Sequence, residues 1–212
     1  MSDGTPHHTG IRIAGASVTD AQLAELDVRR TRRRHPDRRA MRPTDVAGFR
    51  AAWDLLEDRW AGTVARARTL PPELLHEGVD GEWSFTETLR HLVYATDIWV
   101  RRTILGDPRP WHPLSLPFDE MAPDPAVPWD RDARPSLDEV LALRADRRAT
   151  VRRVLDGLTE ESLAGRTEPV DGPGFPDPGS YPVAECLGTV LAEEWEHRRY
   201  AERDLDVLIG RR

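Results

Sequence analysis

The chain contains no lysine; all 30 of its basic residues are arginine. A chain of this kind forms no Schiff base through its own side chains, carries no Walker A phosphate loop and lacks the lysine of a protein kinase. It has one cysteine, Cys186, which excludes an internal disulfide and any CxxC metal or redox motif. A lone thiol of this sort is expected to be a small core residue. No run of about 18 apolar residues occurs, so nothing in the sequence predicts a bilayer span. The first residues, Met1-Ser2-Asp3-Gly4-Thr5-Pro6-His7-His8, lack the basic and apolar regions of a signal peptide, and the protein is expected to be cytoplasmic. A Gly-x-Ser-x-Gly nucleophile elbow is also missing. The formal net charge of −7 disfavours general binding to nucleic acid or to an anionic membrane.

The one basic run, Arg29-Arg30-Thr31-Arg32-Arg33-Arg34-His35-Pro36-Asp37-Arg38-Arg39, has no interleaved aromatics to serve as a stacking surface. It could touch a polyanion, and the plainer reading is a solvated helix end and linker before the core. With 212 residues the chain suits one domain with decorations. Residues 1–43 read as an N-terminal extension, in which Ile11-Arg12-Ile13 and Ala16-Ser17-Val18 flank Gly15 as a short hairpin. Thr19 or Asp20 then caps a helix through Leu26 and Val28. Residues 44–212 read as the main domain.

Four long helical patterns fill that domain. The first, about 44–69, carries Phe49, Trp53, Leu56, Trp60 and Val64 as one apolar stripe. The second opens at the capping-box pattern Ser84-Phe85-Thr86-Glu87 and runs to about Leu105, before Gly106 and Pro108. The third opens with another capping box, Ser136-Leu137-Asp138-Glu139, and runs to about Leu158; the fourth runs from about Val183 to Leu208. Residues 106–135 are proline-rich, contain Trp111, His112 and Trp129, and show no periodicity. A loop of that length either closes over a substrate or is a crossing packed by its own aromatics. The pattern predicts an all-α four-helix bundle, a fold that builds sites from side chains on facing helices.

His91 and His197 are the two histidines that fall inside strongly helical, largely apolar segments, and His197 closes the run Leu191-Ala192-Glu193-Glu194-Trp195-Glu196-His197. On a wheel of the fourth helix, Val183, Leu187, Val190, Ala201, Leu205 and Leu208 share a face with Glu194 and His197. An ionised carboxylate in such a stripe costs several kcal/mol unless it is paired, hydrogen-bonded or bound to metal. Glu193 lies about 40° from His197 on the other flank, so either glutamate could share a site with that histidine. The second helix is apolar almost all round, with its clearest polar stripe at Arg90, Asp97 and Arg101. His91 lies away from that stripe and is expected to face another helix rather than water. A carboxylate and two histidines of this kind could make a three-ligand site for a divalent metal. The plainer alternative is two core histidines held by carbonyls or carboxylates, with the glutamates paired to Arg198, Arg199 or Arg203.

Gly81-Glu82-Trp83-Ser84-Phe85-Thr86-Glu87-Thr88-Leu89-Arg90-His91-Leu92, followed by Asp97-Ile98-Trp99, closely resembles the first helical motif of the DinB-like superfamily. Glu193-Glu194-Trp195-Glu196-His197, with Tyr200 and Arg203-Asp204-Leu205, resembles its second motif. That superfamily includes mycothiol-dependent maleylpyruvate isomerases and bacillithiol transferases. The resemblance covers roughly residues 44–208 and implies an up-down-down-up four-helix bundle, often dimeric. It further implies a divalent metal, zinc or nickel, held by His91, His197 and a carboxylate. Glu193 matches the carboxylate ligand of the mycothiol-dependent branch, whereas the helical wheel favours Glu194. The usual pattern has histidine at position 193, and close relatives often carry a second histidine where this chain has Arg198. The arginine-only complement resembles that of proteins from GC-rich actinobacteria, where mycothiol is the expected thiol.

The resemblance thus implies a metal-dependent transferase that uses a low-molecular-weight thiol on a small electrophile, with a small-molecule substrate and a homodimeric state. The competing expectations are a non-catalytic bundle acting in ligand binding or association, and a metal-dependent hydrolase.

Overall fold

The computed structural model describes residues 39–119, 121 and 124–211, of which Ala40 onward belong to one compact unit. The hairpin and helix expected within residues 1–38 lie outside the described residues. Four long helices carry the fold: α1 (Val46–Ala67), α2 (Phe85–Thr96), α3 (Leu137–Asp156) and, after the short α4 (Glu160–Ala164), α5 (Val183–Gly210). α2 runs on without a break into a π-helical segment, Asp97–Arg102, and a 3-10 turn at Pro72–His76 joins α1 to α2.

Both capping boxes form. Ser84 accepts from the Glu87 N–H while Glu87 accepts from the Ser84 N–H, and Ser136 and Glu139 do the same at the start of α3. Each box satisfies two of the amides that a helix start otherwise leaves without partners. α1 is capped by the Asp45 carboxylate on the Gly48 N–H, 2.7 Å. α4 is a helix that periodicity over longer windows does not reveal; Thr159 and Ser162 cap it reciprocally.

The core falls into two layers, and their membership gives the topology. In one, Phe49, Trp53 and Leu56 from the first half of α1 meet Val100 near the end of α2, Val151 and Leu155 near the end of α3, and Leu187 and Val190 near the start of α5. In the other, Trp60 and Ala67 meet Leu89, Val140, Ala201 and Leu205. α2 and α3 are therefore parallel to each other, and both run against α1 and α5. This up-down-down-up order sends the chain back along the bundle between α2 and α3 through the crossing at residues 103–136.

Buried polar groups are paired across helices. Asp97, fully buried, accepts from Arg147 Nε at 2.8 Å and Nη2 at 3.2 Å, and from Arg101 one helical turn on. Of the stripe Arg90, Asp97 and Arg101, only Arg101 is even partly open to solvent, because α3 and the crossing cover that side of α2. Among the described residues no helix is long and apolar enough to cross a membrane.

Candidate metal centre

His91 occupies the second turn of α2, where the capping box fixes the start of the helix and so the direction of its imidazole. Its ring is 7% exposed and faces α5. Two partners meet it there: the Leu116 carbonyl lies 3.0 Å from Nδ1, and a Glu193 carboxylate oxygen lies 3.3 Å from Nε2. A carbonyl only accepts, so Nδ1 carries the proton and donates, and in the neutral ring Nε2 presents its lone pair to the carboxylate.

His197 lies one turn beyond Glu193 on α5. Its Nδ1 is 3.0 Å from the Glu193 carbonyl and 3.2 Å from the Glu193 carboxylate. The rings of His91 and His197 are 4.7 Å apart. One ligand atom from each of His91, Glu193 and His197 lies within 4.8 Å of the others. Burial pulls His197 below the usual imidazole value, the neighbouring His91 adds to this, and the glutamate charges oppose it. Burial alone would raise the Glu193 carboxyl, but the hydrogen bond that a protonated His91 ring donates and the charges of the two imidazoles, when protonated, hold it below the usual carboxylate value.

Two imidazoles and a carboxylate meeting in this way are a set of donors that suits a cation. The spacing agrees in part. A tetrahedral site with ligands at about 2.1 Å has edges of about 3.4 Å, close to the 3.3 Å between His91 and Glu193. The cluster as a whole is more open. These three residues could hold a divalent metal.

Glu194 does not join them. It is 2% exposed, and its carboxylate accepts from Arg144 Nη2 at 2.8 Å, with the guanidinium lying over the Trp60 ring. The charge in the apolar stripe is thus compensated from α3, not by an arginine of its own helix. Arg198 turns toward α1, where it donates to Thr63 at 3.3 Å and pairs with Glu202. Arg199 pairs with Glu196 and Arg203 with Asp204.

The indole of Trp83 lies against both imidazoles, with ring centres 4.6 Å from His91 and 6.1 Å from His197, and donates to Asp119 at 3.3 Å. A cavity of about 200 Å³ opens beside this group, lined by Glu82, Trp83, Thr88, Asp119, His197 and Tyr200, among others. Trp111 and Trp129 of the crossing pack around Tyr94, each about 6.1 Å from it. His112 accepts from the Leu114 N–H at 3.1 Å, and burial lowers it, helped by the charges of Arg147 and Arg101. The crossing is thus packed by its own aromatics, and Asp119 is the residue it lends to the cavity. A larger groove of about 540 Å³, lined by Ile104, Leu105, Val154 and Val183 among others, contains none of the candidate ligands.

A family model for the DinB superfamily matches residues 55–201, well over half of the chain. The chain belongs to the DinB superfamily. The matched span contains His91, Glu193 and His197, as well as the crossing between α2 and α3. The chain matches no curated protein.

Two residues that pack around the candidate centre carried little or no signal of that place in the sequence. Trp83 stood in the motif without an assigned role, and its place directly before a capping box was the available signal. Leu116 acts through its carbonyl, which every residue has, so no signal existed.

Proposed function

We propose that this DinB protein holds a divalent metal ion, zinc or nickel, through His91, Glu193 and His197 and transfers a small thiol, mycothiol in the first instance, onto a small electrophile. The observation that carries this reading is the meeting of two imidazoles and one carboxylate beside an open cavity. When bound, such a metal lowers the pKa of a coordinating thiol and so makes a thiolate available at neutral pH. Three protein ligands leave a position open for that thiol, as in catalytic rather than structural zinc sites.

The chain's own residues support the chemistry by position. Leu116 fixes the His91 ring, the Glu193 carbonyl fixes the His197 ring, and the Trp83 indole shields one side of the pair from water. The chain's single cysteine does not compete as a nucleophile: the thiol of Cys186 is buried and pushed up to about 11 by its burial and by the charge of Glu185. The nucleophile is therefore brought in by a co-substrate, and the cavity lined by Trp83, Thr88 and Tyr200 is where the electrophile would meet it.

Metal analysis of protein purified without an affinity tag tests this. About one equivalent is expected, falling below about a tenth in His91→Ala, with thiol-dependent consumption of a model electrophile lost in parallel. Metal below a tenth of an equivalent in the unaltered protein after incubation with zinc or nickel would overturn the reading. Bound metal with turnover that needs no thiol would point to hydrolysis instead.

A further inference from the structure

We propose that Arg90 is a positioning residue for His91: it fastens the crossing to α2 so that the Leu116 carbonyl stays on Nδ1 and the lone pair stays on Nε2, facing Glu193.

Arg90 and His91 are consecutive, and the same piece of chain answers both. Arg90 is 1% exposed, and its partners are carbonyl oxygens, not a carboxylate. Its Nε donates to Leu114 at 2.9 Å, Nη1 to Ala133 at 2.7 Å and Arg131 at 3.2 Å, and Nη2 to Asp130. These carbonyls belong to two limbs of the crossing, which are also joined by the Asp130 N–H donating to Pro113 at 2.9 Å. Leu116, two residues beyond Leu114, closes the arrangement. Its N–H donates to the Arg90 carbonyl at 3.2 Å and its own carbonyl accepts from His91 at 3.0 Å.

A planar fork with five donors can reach all four of these carbonyls, which the three N–H groups of a compact lysine ammonium cannot. Without the fork the two limbs have no common anchor on α2, and the burial of four carbonyls loses its compensation. The Leu116 carbonyl would then be held on Nδ1 only through the Leu116 N–H on the Arg90 carbonyl, and the ring would be freer to carry its proton on Nε2, the nitrogen needed as a ligand.

Arg102 provides an internal control. It lies at the end of the π-helical segment that continues α2, is 1% exposed and also donates to carbonyls, but to Pro108, Val170 and Gly172, away from Leu116. Its loss should disturb the fold without reaching His91.

The test uses metal-free protein with 15N-labelled histidine at a pH where the rings are neutral, with His91→Gln identifying the signal. The unaltered protein is expected to show His91 protonated on Nδ1. Arg90→Lys and Arg90→Met should shift it toward a mixture with the Nε2-protonated form and raise the zinc dissociation constant about tenfold or more. Arg102→Met should keep the original pattern and a dissociation constant within about twofold. Should Arg90→Met fail to fold by circular dichroism, Arg90→Lys decides. A folded Arg90→Lys with the original pattern and affinity overturns the proposal, and so does an Arg102→Met that changes both as much.

The zinc measurement rests on the metal-binding function proposed above, whereas the tautomer measurement does not. An unaltered protein that fails to bind zinc would overturn that function and leave the tautomer result to decide this inference.

Discussion

Glu194 and Arg144 meet at 2.8 Å between α5 and α3, each almost wholly buried, while the neighbouring Glu193 turns to the histidines of α2 and α5. Two adjacent glutamates therefore have separate tasks, one holding helices together and one facing the candidate metal centre.

The core pair should behave as a buried salt bridge. Removing Arg144 alone, as Arg144→Met, leaves an uncompensated charge and is expected to lower stability in urea by about 3–5 kcal/mol. The double change Arg144→Met with Glu194→Leu should recover most of that loss, because two well-packed apolar groups replace two desolvated ions. A double variant no more stable than the single one would show that the pair matters for more than its charge.

Separate tasks for the glutamates also make a contrast in metal content. Glu193→Gln is expected to lose zinc affinity by at least about tenfold while keeping the fold, since its carboxylate lies partly open to solvent. Glu194→Gln should cost stability and leave zinc content per folded molecule unchanged. Equilibrium dialysis followed by metal analysis reads both, and equal losses in the two variants would contradict the division of labour.

The start of α2 should be sensitive in proportion to its capping box. Ser84→Ala removes the acceptor for the Glu87 N–H and is expected to cost about 1–2 kcal/mol, read by urea unfolding. Because His91 sits on the second turn of that helix, amide exchange at residues 85–91 should quicken with it.

Cys186 supplies a check on core integrity. With its thiol pushed up to about 11, only about one molecule in a thousand carries the thiolate at pH 8. A disulfide reagent should therefore react with native protein slowly and with unfolded protein at the ordinary rate of a free thiol. The native rate should rise about tenfold for each pH unit up to pH 10, so a plateau near pH 8 would contradict the burial.

Much of this was legible in the sequence. The stripe from Phe49 to Val64, the boxes at Ser84 and Ser136, and the long crossing gave the bundle, because helix periodicity and caps are local signals, whereas its up-down-down-up order was implied only by the resemblance to the DinB-like superfamily. The wheel was right that Glu194 points inward and silent about which neighbour it meets, since inward directions from α5 lead both to α3 and to α2. Arg90 and Asp97 looked like a polar flank because their partners, the crossing and Arg147, are distant in sequence. Trp83 belonged to a motif, but its contact with both imidazoles depends on the packing of α2 against α5. Helix identity is written in short windows; the pairing of buried charges is written in tertiary contacts.

The parallel run of α2 beside α3 has one last consequence. A chain that must repeat a 20-residue helix in the same direction has to travel back about 30 Å, which about nine extended residues would cover. Residues 103–136 are several times longer than that return path. The surplus supplies what the helices cannot: the Leu116 carbonyl behind His91 and the Asp119 side chain at the cavity both come from this return path.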